Sequence, residues 1–219
     1  MRYVGSKNRI AKYIVPIIEK EITDNTVYIE PFVGGANLID KVNCSKRYGY
    51  DINKYLIALL QYQQSGGKLP NIVTKQEYQE VRNNKANYPD WLVGFIGFCC
   101  CFRSHWFAGF ADPYTRGCCK RNLETQNLSG IRFAVADYKT LNIPENAVIY
   151  CDPPYQDTTG YKDKINYTEF WDTVRKWRKQ GAKVFVSSYS APPDFTCIWQ
   201  KDIYNALGNK GKLTEKLFV

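Results

Sequence analysis

The sequence predicts an α/β fold built on a parallel sheet, and three observations predict it. Within residues 1–67, "TVYIEPFVGGANLIDKV" and "KRYGYDINKYLIALLQYQQSGG" each run from a short apolar stretch through a turn into helical spacing. Alternation of strand and helix is the signature of βαβ units. The same rhythm resumes after residue 130 in "IRFAVADYKTL", "AVIYCDPPY", "YTEFWDTVRKWRKQG" and "KVFVSSYS". Between these halves, residues 68–130 break it, which predicts an insertion between sheet strands.

Each element has a local reason. "NRIAKYIVPIIEKEI" sets Ile10, Ile14, Ile17, Ile18 and Ile22 at helical spacing, with Pro16 as a kink. The first unit reads as strand, glycine turn and helix. The second reads as a strand to Asp51, then a helix ending near Gly66 and Gly67. In the insertion, "TKQEYQEVRNNK" looks helical and "DWLVGFIGFCCCF" is an apolar helix that must be buried. After residue 165 a helix places Phe170, Trp171, Val174 and Trp177 on one side. "KLTEKLFV" reads as a last, edge strand. No internal repeat or low-complexity segment occurs.

The chain's 219 residues suffice for one domain carrying an insertion. No run approaches the roughly 20 apolar residues that span a bilayer, and the N-terminus lacks the apolar core of a signal peptide. A cytoplasmic protein with no membrane partner is expected. Thirty Lys and Arg against 21 Asp and Glu give a net charge of +9. That balance suits a polyanion, nucleic acid above all; the competing reading is charge that only maintains solubility. The eight cysteines include "FCCCF" and "GCCK" but no CxxC pair, and His105 is the only histidine. They read as reduced, small core hydrophobes, and no metal site is expected.

Two stretches carry chemistry. In "YIEPFVGGANL" the glycines let a ligand approach the backbone, and Asp51, ending the next strand, can accept both hydroxyls of a ribose. A tight turn with a capping Asp is the plain alternative, since the pattern is not GxGxxG. In "VIYCDPPYQ" a buried strand ends in Asp152, Pro153, Pro154 and Tyr155. A nucleobase amino group is a weak nucleophile because its lone pair is delocalised. Asp152 can accept one amino proton and a proline-fixed carbonyl the other, while Tyr155 offers a face for an extruded base. A proline turn with a solvated Asp is the alternative.

With these residues in view, the chain resembles the Dam-like adenine-specific DNA methyltransferases, the alpha group or D12 class. "DPPY" is similar to their catalytic signature, "EPFVGG" to their S-adenosylmethionine loop, and "RYVGSK" to the element preceding that loop. The order of these motifs, with an insertion before DPPY, is the arrangement of the alpha group. The resemblance implies a class I S-adenosylmethionine-dependent methyltransferase (Rossmann-like) sheet with an inserted, mainly helical target-recognition region. Residues 1–67 and 131–219 would be the catalytic domain and 68–130 the insertion. It implies that Tyr3 and Lys7 hold the cofactor's methionine end, Lys7 facing its carboxylate. Phe32, Gly34 and Gly35 form the glycine loop, Asp51 takes the ribose, and Asp137 with Tyr138 lies at the adenine. Asp152 is the catalytic acid, beside the cofactor. Ser6 departs from the family, which more often carries a second Gly there.

The resemblance implies methyl transfer from S-adenosylmethionine to the exocyclic amino group of adenine in double-stranded DNA. Asp favours adenine, whereas Ser is common at that position in enzymes acting on the cytosine amino group. No Pro-Cys pair is present for attack on a cytosine ring carbon. The alternatives are the same chemistry on cytosine, RNA or a protein amide, and a catalytically silent DNA-binding protein. A monomer is expected; a cognate restriction endonuclease in a restriction-modification role is one partner the resemblance allows, and a mobile-element or regulatory role is the other reading. The expected DNA-reading surface is residues 103–132. There Arg103, Arg116, Lys120, Arg121 and Arg132 alternate with Trp106, Phe107, Phe110 and Tyr114, the arginines for phosphates or guanine edges and the aromatics as wedges.

Overall fold

A computed structural model describes Met1, Tyr3 and residues 5–154, 165–204 and 212–219. Its strands are β1 (Val27–Glu30), β2 (Lys46–Asp51), β3 (Ile131–Val135), β4 (Ala147–Cys151), β5 (Lys183–Ser188), β6 (Cys197–Tyr204) and β7 (Lys212–Phe218). They form one sheet in the order β3-β2-β1-β4-β5-β7-β6. The first five pair in parallel, and β7 runs antiparallel to both β5 and β6. This is the α/β, Rossmann-like sheet that the resemblance implied. Strand order reverses between β1 and β4, and ligands of such sheets bind beyond the strand C-termini at that switch point.

Alternation along the strands sorts side chains onto two faces. Tyr28, Val148, Tyr150, Phe185 and Leu217 join one core with Ile14 and Ile18 of α1 (Ala11–Glu19) and Leu56, Leu59 and Leu60 of α2 (Lys54–Gln64). Ile29, Ile149, Cys151, Val184 and Val186 join the other with Phe170, Trp171, Val174 and Trp177 of α6 (Tyr167–Lys179). Pro16 lies inside α1, as the sequence indicates.

Between α2 and β3 the chain adds three helices. A capping box of Thr74 and Glu77 opens α3 (Lys75–Asn83). The apolar α4 (Asp90–Gly94) continues as a wider π turn over Phe95–Cys99. Asp112 caps α5 (Pro113–Glu124), accepting from the Thr115 N–H at 2.9 Å, with Pro113 at the first helical position. Cys99, Cys100, Cys101 and Cys119 are buried, reduced members of the first core.

Two expectations need correction, and one strand was unforeseen. No helix follows the glycine pair: residues 34–41 are turns, because Gly34 and Ala36 take left-handed φ values of 48° and 53°. A strand the sequence reading missed, β6, forms the edge. "KLTEKLFV" is an interior strand, β7, lying between β5 and β6.

Candidate active site

The C-terminal ends of β1, β2, β3 and β4 bring the predicted residues to one edge of the sheet. Glu30 ends β1 and leads into Phe32, Gly34 and Gly35. Asp51 ends β2, Asp137 follows β3, and Asp152 follows β4. Asp51 is tied to the glycine turn: the Gly34 N–H donates to its Oδ2 at 3.2 Å and the Asn53 N–H to its Oδ1 at 2.9 Å. Burial pushes its carboxyl up to about 6, against the lowering effect of these amides. A carboxylate offers about four lone-pair sites, and the backbone amides of Gly34, Asn53 and Ile52 leave acceptor capacity for a ribose hydroxyl.

The glycines are needed for close approach. A Cβ on Gly34 would stand 2.9 Å from the Tyr3 ring, and one on Gly35 would stand 2.8 Å from the Tyr3 Cβ. Tyr3 therefore lies against the turn. Gln126 of the insertion donates to the carbonyls of Gly35 and Ala36 at 2.9 and 3.0 Å, a support that no motif announced. Phe32 packs on Tyr138 with centroids 5.0 Å apart, so these two expected cofactor residues meet. Asp137 accepts from the Lys139 N–H at 3.0 Å, capping the turn that carries Tyr138.

Lys7 lies between two carboxylates of the protein. Its Nζ is 2.9 Å from Asp152 Oδ1 and 3.4 Å from Glu215 Oε1, and it donates to the Gly5 carbonyl at 3.1 Å. Burial alone would lower the Lys7 ammonium, but Asp152 and Glu215 outweigh it and raise its pKa above the ordinary value. The lysine assigned to a ligand carboxylate thus meets two carboxylates of the protein, one of them the DPPY acid.

Pro153 is buried and Pro154 half-buried. The Pro154 carbonyl accepts from the Tyr167 hydroxyl of α6, which pins the proline pair against the helix. Tyr155 lies outside the described residues. Glu30 was also missed: 3% exposed, it accepts from the Tyr28 hydroxyl at 2.9 Å, and burial pushes its carboxyl well above the usual range. An acid closing an apolar strand was the available signal.

The basic residues of the insertion differ in kind. Exposed Arg103 has a left-handed φ of 54° and lies over Phe102, centroid distance 5.1 Å. Arg116 donates to the Ala111 carbonyl and lies 4.3 Å over Phe110. Lys120 meets Asn71 and Glu124, Arg121 meets the Cys118 sulfur, and exposed Arg132 covers Tyr48. Three of the four expected wedges, Trp106, Phe107 and Phe110, pack inward instead. Trp106 stacks on Tyr55 at 5.4 Å in space that a Cβ on Gly97 would fill, and Phe107 is buried against Tyr78. The exposed aromatics are Phe102 and Tyr114.

Among the described residues, no three His, Cys, Asp or Glu side chains gather as a metal site, and no helix is long and apolar enough to cross a membrane.

The type II methyltransferase M.FokI of Planomicrobium okeanokoites is 24% identical over 208 residues, 80% of this chain; the chain spans about a third of that relative, 32% of its length. Among solved structures, SMU.472 complexed with SAH is 12% identical with a TM-score of 0.44, covering 97% of this chain and 52% of that one. HI0767 from Haemophilus influenzae is 10% identical with a TM-score of 0.35, covering 97% and 86%. Residues 3–90 match the model of the D12 class N6 adenine-specific DNA methyltransferases. That stretch, which carries Tyr3, Lys7, the glycine turn and Asp51, is the part of the chain that is similar to this family.

Proposed function

We propose that the protein methylates the exocyclic amino group of adenine in DNA, with S-adenosylmethionine as donor. The observation that carries this reading is Asp152, at the end of β4 beside the β1 glycine turn, with one carboxylate oxygen on Lys7 and a fixed proline pair behind it. The residues present fit the donor: Asp51 retains acceptor capacity beside the Gly34–Gly35 turn, and Phe32 and Tyr138 supply an aromatic wall.

S-adenosylmethionine, when bound, supplies a methyl on a positively charged sulfur, which the amino nitrogen takes as the carbon–sulfur bond breaks. The nitrogen then sheds one proton to solvent. Asp152 accepts a hydrogen bond from the amino group and offsets the positive charge that develops there. The Pro153 carbonyl accepts the second amino proton, since the Pro154 carbonyl is already engaged by Tyr167. Holding both protons orients the nitrogen lone pair along the line of transfer. The base must leave the stack first, at a cost of a few kcal/mol, which basic contacts to phosphate offset.

The test is transfer of labelled methyl from S-adenosylmethionine to duplex DNA, followed by nucleoside analysis. N6-methyladenine that disappears in Asp152→Ala supports the reading. Label in cytosine, RNA or protein instead, or undiminished transfer by the variant, sinks it.

A further inference from the structure

The N-terminal segment, the end of β4 and β7 meet at a single ammonium. Lys7 is 7% exposed and Glu215 is 2% exposed, while the Asp152 side chain keeps 21% of its surface. The two carboxylates therefore differ in freedom. Glu215 is carried on an interior strand paired on both sides, with Lys201 opposite it on β6. Asp152 stands on the turn that leaves β4. Groups carrying charge or able to titrate surround this cluster: Glu30 on β1, Tyr150 and Cys151 on β4, and Tyr189 after β5.

An ammonium shared by two carboxylates is held by the less mobile one. Were Asp152 the sole partner, its oxygen would be committed to the ion pair and drawn away from a substrate. With Glu215 in place, Lys7 stays put and charged whether Asp152 leans on it or turns one oxygen outward. We infer that Glu215 is a positioning residue: it anchors Lys7, and through Lys7 sets the orientation of the Asp152 carboxylate toward the amino group to be methylated. This rests on the proposed reaction and assigns a role to a residue outside its motifs.

The experiment compares wild type, Glu215→Gln, Lys7→Met and the double variant in steady-state methylation. It adds a pH titration of the Lys7 Nζ by NMR on lysine-labelled protein. Glu215→Gln keeps a hydrogen-bond acceptor and removes the charge. The expected result is a kcat lowered by up to roughly a hundredfold, the scale on which a small misplacement of a reacting group acts. KM for S-adenosylmethionine should stay within about twofold, as for an interaction that matters after binding. The double variant should be no slower than Lys7→Met alone, and the Lys7 pKa should fall in Glu215→Gln. Unchanged kcat, a rise in KM alone, or costs that multiply in the double variant would each overturn the assignment. Should Glu215→Gln fail to fold, Glu215→Asp decides, since it keeps the charge but draws it back from Lys7: a lowered kcat with KM unchanged supports the anchor, and an unchanged kcat overturns it. The NMR arm separates the two readings. A wild type that does not methylate adenine defeats the reaction, while an unaltered Lys7 pKa in Glu215→Gln defeats the anchor on its own.

Discussion

Asp51 shows what a single partly buried acid does to a binding site. Its carboxyl is pushed to about 6 by burial, from an ordinary 3.8. The stability it contributes is therefore fully present below 3.8 and is lost as pH rises through about 6. In the proposed reaction ribose binding has the opposite sign, because it is the ionised form of Asp51 that would accept the hydroxyls. Affinity for S-adenosylmethionine should weaken as pH falls below about 6, and calorimetry between pH 5 and 7.5 will read it. Asp51→Asn should flatten that dependence and lower affinity by about 1.5–3 kcal/mol, the scale of a charged hydrogen bond. At Asp152, Ala should cut kcat by roughly a hundredfold or more, as for a lost transition-state contact. Asn, which still accepts, should retain part of the rate. Asp152 and Asp51 stood out in the sequence as acids at strand ends, Asp152 after an apolar strand and before a proline pair, Asp51 at the start of a helical pattern. Glu215 did not, because its partner lies in a different part of the chain and a lone charge in "KLTEKLFV" reads as solvated.

Among the elements, the contact between α2 and α4 is set by one missing side chain. A Cβ on Gly94 would fall 2.1 Å from the Tyr55 carbonyl and 3.1 Å from Leu59. Gly94→Ala should separate the helices and destabilise the fold by about 1–3 kcal/mol, the cost of overpacking, despite Ala's better helix propensity. Thermal denaturation will show it as a fall of roughly 2–4 °C per kcal/mol. Gln126→Ala should release the Gly35 and Ala36 carbonyls and weaken the cofactor by about 1 kcal/mol, one hydrogen bond's worth. Most elements followed from periodicity. The exceptions have physical causes. After the glycine pair, left-handed Gly34 and Ala36 interrupt what an apolar pattern suggested was a helix. The edge strand β6 escaped notice because "CIWQKDIY" lacks clean alternation. β7 looked like an edge because its buried acid is neutralised by tertiary contact rather than by water.

On the scale of the molecule, a net charge of +9 should make DNA affinity fall steeply with salt. The insertion divides this effect. Arg103 and Arg121 are exposed, so their Ala variants should weaken all DNA sequences alike and each flatten the salt slope by about one unit if they meet phosphate. Arg116 already binds the Ala111 carbonyl and covers Phe110, so its Ala variant should lower the melting temperature more than the slope. Titrations of cognate and scrambled duplexes at several salt concentrations will separate them. Composition announced the charge but not which residues were committed to the fold, since that depends on three-dimensional neighbours. The Lys7–Glu215 pair has a consequence of another kind, for the order of assembly. Lys7 stands near the start of the sequence and Glu215 near its end. The loop such a contact closes is nearly as long as the chain, and contacts of that span form late because the entropy of closure precedes their reward. The glycine turn can take shape with β1 and β2 alone, whereas the surroundings of the DPPY acid wait for β7 to slot between β5 and β6. On refolding, the ability to hold a nucleoside should return before the ability to transfer a methyl group.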